Sequence, residues 1–139
     1  MNRLLIFHHH DTAGNNVRMA PSAYYIDGEY DKVAVRIYAG TAPVRDAKID
    51  ILDDGVSIFS NRTNRTWNLS SGVDTTGAAT TEAILPAGQN SEEIAEDFTD
   101  DLIEEGSWVS CNLVDAGGGR DFTVQLELHQ VSEDETRDD

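Results

Sequence analysis

Phe122, Val124, Leu126 and Leu128 alternate with Thr123, Gln125, Glu127 and His129, a period of two that a helix cannot hold on one face. The same alternation recurs along the chain. Val33, Val35 and Ile37 fall on one side of Lys32–Ala39, with Lys32, Arg36 and Tyr38 on the other. Ala47–Leu52 alternates again, stops at Asp53-Asp54-Gly55, and returns as Val56-Ser57-Ile58-Phe59, the pattern of a β-hairpin. Val109, Cys111 and Leu113 share a side of Trp108–Asp115, and Gly117-Gly118-Gly119 reads as a flexible turn into the closing strand. Thr80–Leu85 is a further strand, closed by Pro86-Ala87-Gly88. Residues 60–80 read as a long polar loop, with a short strand expected at Thr66–Leu69. Ser91–Phe98 fits a capped helical turn about as well as a strand, and both stay open.

These segments predict an all-β chain: a single-domain β-sandwich or jelly roll of about eight strands. Its 139 residues suffice for one real core and not for two. Residues 1–20 are expected to form an N-terminal arm, 21–131 the sandwich, and 132–139 a disordered acidic tail. The apolar run after Met1 is too short for a signal peptide, and no stretch has the roughly 20 apolar residues of a membrane span. Synthesis in a cytoplasm without secretion is therefore expected. The sequons at Asn61, Asn64 and Asn68 then carry no glycans.

Charge narrows the partners. Residues 1–65 hold eight bases and eight acids, while residues 66–139 hold two bases and eighteen acids, which accounts for the net charge of −16. Such a surface repels phosphate backbones and anionic bilayers, so neither nucleic acid nor membrane is an expected partner. Lysine occurs only at positions 32 and 48. An acidic, lysine-poor surface suits molar salt, as in a halophilic source, and also an ordinary acidic protein from a GC-rich genome.

Few residues suggest chemistry. His8 and His10 lie on one side of a strand, where three subunits about an axis would offer imidazoles to a divalent cation; no cofactor is otherwise implied. The competing reading makes this segment a contact arm, with Leu4, Ile6, Phe7 and His9 meeting another subunit. The carboxylates of Glu92–Glu105 lack the spacing of a calcium loop and read as a solvated face. Cys111 alternates with polar neighbours and reads as a buried apolar residue. No G-x-S-x-G elbow or phosphate-cradling loop is present, so a non-enzymatic role is expected. Trp67, Tyr25 and Tyr30 are candidates for stacking on sugar rings, and equally for packing under loops.

Three stretches, Val33–Pro43, Ile49–Phe59 and Gly118–Leu128, follow the order strand-GTAP, strand-DG-strand ending in SIF, then a closing aliphatic strand. In that order the chain resembles small jelly-roll structural proteins of tailed viruses, bacteriophage or haloarchaeal, over residues 24–131. The resemblance implies a virion protein that decorates a head or builds a fibre or turret, commonly as a homotrimer on the major capsid protein. The alternative it leaves is a tail-associated receptor-binding module for a cell-surface glycan. Both place the protein in a virion, after synthesis in the host cytoplasm.

Overall fold

The computed structural model describes residues 2–12, 16–59, 82–96, 98–99 and 101–131. Trp67, the expected strand at Thr66–Leu69 and the acidic tail 132–139 lie outside the described residues. Among the described residues there is no helix. The strands are β1 (Asn2–Thr12), β2 (Val17–Arg18), β3 (Tyr24–Tyr25), β4 (Tyr30–Thr41), β5 (Ala47–Asp53), β6 (Val56–Ser57), β7 (Ala83–Leu85), β8 (Ser91–Ile94), β9 (Trp108–Asp115) and β10 (Arg120–Gln130). Ser91–Ile94, open between helix and strand in the sequence, is a strand because Glu92 and Ile94 pair with Ile37 and Val35 of β4.

One sheet runs β1-β10-β4-β8 and the other β2-β9-β5-β6, with β3 also on β9 and β7 also on β5. All pairings are antiparallel. Counting β2/β3 and β6/β7 as interrupted single strands leaves eight positions among the described residues, ordered 1-8-3-6 and 2-7-4-5, which is a jelly roll. The expected all-β sandwich is what the chain forms.

The inner faces are those the alternation marks. Phe122, Val124, Leu126 and Leu128 of β10 meet Ile49 and Ile51 of β5 and Val109, Cys111 and Leu113 of β9 in one buried cluster. Each such aliphatic or aromatic side chain contributes about 1.5–3 kcal/mol by leaving water. The β5–β6 hairpin turns through Asp54 (φ 51°) and Gly55 (φ 86°), two left-handed residues in succession, as a tight two-residue turn between twisted strands needs.

Two expectations fail for the same reason, that local alternation does not show which strand lies alongside. The N-terminal segment is not an arm: Asn2–His9 pairs residue by residue with Phe122–His129 of β10. Leu5 and Phe7 are fully buried, so Phe7 is core and not a contact residue; its ring meets Tyr24 edge-on at 5.3 Å. The outer edge of β1 is closed by His8 N–H donating to Ala20 O (2.8 Å), Ala20 N–H to His8 O (2.9 Å) and the Tyr24 hydroxyl to Ile6 O (2.7 Å).

The second failure concerns β4. A register shift opposite Glu127/Leu128 leaves Val33 unpaired, and this bulge reverses the alternation, so Lys32 turns inward and is only 8% exposed. Its ammonium donates to Thr99 Oγ1 (2.8 Å) and to the Asp101 carbonyl, tying the β8–β9 connection to β4. Lys32→Ala is expected to destabilise by about 2 kcal/mol in urea titrations, since it strands two half-buried acceptors; a change below about 0.5 kcal/mol would contradict the tie.

Candidate functional site

Alternation leaves the outer face of the first sheet to every second residue of β1, β10, β4 and β8. Cross-strand register then assembles rows from residues distant in sequence. Ile6, Gln125, Arg36 and Glu93 form one row; His8, Thr123, Tyr38 and Ser91 form the next. The β4 and β8 half holds a groove of about 470 Å³ lined by Arg36, Tyr38, Ser91, Glu93, Thr123 and Gln125.

Within it the Arg36 guanidinium is held on two sides, Nε to Glu93 Oε2 at 2.8 Å and Nη2 to Glu127 Oε1 at 2.7 Å. Asn2 Nδ2 donates to the other Glu127 oxygen. The Arg36 hydrogen bond, with help from Asn2, holds the Glu127 carboxyl below its ordinary range, and both carboxylates hold Arg36 charged. Tyr38 stands beside this fixed cluster with 53% of its surface exposed. On the β1 half of the same face Leu4 and Ile6 stand between the polar Asn2 and His8, at 48% and 40% exposure.

Other sequence candidates are scattered. Tyr30 is buried in the core, its hydroxyl donating to Asp27 Oδ1 at 2.8 Å, so no ligand stacks on it. Tyr25 is exposed on the second sheet, its ring 5.1 Å from that of Trp108, also exposed. His9 is half-buried, whereas His8 and His10 are exposed. His10 Nδ1 lies 3.5 Å from Asp121 Oδ1, and no third metal-binding side chain joins the pair among the described residues. Cys111 is fully buried beside the Met19 sulfur at 3.5 Å, and burial raises its thiol pKa far out of reach of neutral pH.

A second cleft, about 610 Å³, opens at one end of the sandwich between the β5–β6 hairpin and Thr99, Asp101, Leu102, Glu104 and Ser107. Glu29, Asp53, Asp54, Asp101 and Glu104 line it. Burial raises the Asp53 carboxyl despite a hydrogen bond from Ser107, and its Oδ1 is buried without a hydrogen-bond partner among the described residues.

On the outer face of β5, burial pushes Asp50 up to about 6; the Ser57 hydroxyl at 2.7 Å opposes this and the Glu82 charge adds to it. A carboxyl raised on folding holds its proton longer in the folded state, so its contribution is complete below about pH 4 and is lost as pH rises through 6. The group is only half-buried, and solvent screening leaves about 1 kcal/mol of effect. Asp50→Asn is expected to flatten the stability profile between pH 4 and about 7 by that amount in denaturant titrations; an unchanged profile would assign the dependence elsewhere.

The sequence offers Tyr25, Tyr30 and Trp67 as stacking candidates and does not single out Tyr38. Arg36 and Tyr38 were visible as outward residues of one strand, and Thr123, Gln125 and Glu127 as those of another. What was missing was the adjacency of β4 and β10, a pairing over some 80 residues of chain. No family model matches this chain, and no match was found among the curated proteins or the solved structures.

Proposed function

We propose that this chain is a non-enzymatic structural subunit of a tailed-virus particle, a capsid decoration or head-fibre/turret protein that assembles as a trimer against the major capsid protein. The observation that supports this reading is the pair Leu4 and Ile6, exposed two residues apart on the outer face of a jelly-roll sheet. Two large aliphatic side chains gain nothing from water there and gain free energy when a neighbouring subunit covers them. The jelly-roll order is shared by many capsid and lectin domains, which makes the reading consistent with the fold without resting on it. The strongly acidic carboxy-terminal half keeps subunits soluble and apart from nucleic acid until they dock.

Quantitative mass spectrometry of purified particles tests the assignment. Copies comparable to the shell protein are expected for a decoration subunit. A handful per particle would move it to the tail, and absence from particles would end the virion reading.

A further inference from the structure

The groove on the β4–β8 half of the first sheet has a chemistry that assembly does not use. It combines one exposed aromatic ring with polar groups already locked in place. Tyr38 stands in register with Thr123 and Ser91, and one row along β4 Arg36 stands in register with Gln125 and Glu93. Arg36 is fixed by Glu93 at 2.8 Å and Glu127 at 2.7 Å, so its remaining N–H groups present themselves without further ordering of the side chain. A volume of about 470 Å³ falls in the range of small-molecule sites.

We propose that this groove is a binding site for a neutral saccharide, with a pyranose ring stacked on Tyr38 and its hydroxyls met by Arg36, Gln125, Glu93 and Ser91. A sugar ring offers what the groove complements: a face of C–H bonds for the aromatic ring and a rim of hydroxyls that both donate and accept. Carboxylates accept from hydroxyls, while the guanidinium and the Gln125 amide donate to them. Charge selects the class of sugar. Among the described residues lining it, the single cation Arg36 is answered by Glu93 and Glu127, and Glu92 also lines the groove, so their balance is negative. Sialylated or sulfated chains are repelled. A second copy packed face to face on this half would set its own Glu93 against this one, whereas Leu4 and Ile6 on the β1 half carry no charge. The two halves of one face thus serve different partners, and the saccharide site needs no particular oligomeric state.

The test is NMR titration of the full chain with maltose, cellobiose, lactose, mannobiose and diacetylchitobiose, with sialyllactose as the anionic comparator. At least one neutral sugar is expected to shift the amides of Tyr38, Ser91 and Gln125 and to bind more tightly than sialyllactose. Tyr38→Ala should weaken that binding by about tenfold. Tyr38→Phe should keep most of it, and Tyr25→Ala on the opposite sheet should leave it intact. Tyr38 is half exposed, so unchanged melting of each variant separates loss of binding from loss of fold. The proposal is overturned if no neutral sugar binds below about 10 mM, if sialyllactose binds as well, or if Tyr38→Ala has no effect while Tyr25→Ala does.

Discussion

Gly117→Ala is expected to destabilise the protein by on the order of 3–5 kcal/mol, lowering the melting midpoint by about 10 °C or more. A Cβ at this position would lie 2.2 Å from the Arg45 carbonyl oxygen and 3.0 Å from that of Asp46. Both are backbone atoms that cannot swing aside. The contact is close because the β9–β10 turn is stitched to the β4–β5 connection: Val44 N–H and Arg45 N–H both donate to Gly117 O, at 2.8 and 3.1 Å. Gly117 N–H donates in turn to Asp115 Oδ1 at 2.9 Å. The left-handed φ of 61° adds strain for any side chain. Gly55→Ala is the control. Its φ is also positive, at 86°, but nothing lies within 4 Å of a Cβ there, so a cost of about 1 kcal/mol is expected from backbone strain alone. Equal costs for the two variants in thermal melts would refute the packed turn.

Phe7→Ala is expected to cost about 3–5 kcal/mol in equilibrium denaturation, since it removes a fully buried aromatic ring and leaves a cavity. The neighbours on the same strand separate this from a general sensitivity of the terminus. Leu4→Ala, at a side chain about half exposed, should change stability by less than about 1 kcal/mol. If residues 1–20 were an arm laid on another subunit, Phe7→Ala would reduce association and leave the stability of the isolated chain unchanged. The contrast between the two positions therefore distinguishes an integral strand from an arm.

What could be read from sequence was what depends on near neighbours. The alternation in β10, the Asp54-Gly55 turn and the burial of Cys111 are each decided within a few residues, and all hold in the structure. What could not be read depends on pairing partners far along the chain. Leu4–Phe7 looks like the apolar stub of an arm until β10 is set beside it. Lys32 looks solvent-facing until the bulge opposite Leu128 is known. Gly117 looks like slack in a turn until the Arg45 carbonyl is placed against it. The candidate site shares this limit: its residues come from three strands, and only the register puts Tyr38, Gln125 and Glu93 on one surface.

Under the functional reading, the outer face of the first sheet is where this protein works, and its β1 half is where copies meet. The native mass of the full chain by sedimentation equilibrium, alongside Leu4→Asp and Ile6→Asp, tests this most directly. The expected result is a species of three chains of 15.2 kDa each, which both aspartates convert to monomer without loss of the folded state. A wild-type chain that stays monomeric at every concentration, or a trimer indifferent to both substitutions, would contradict it.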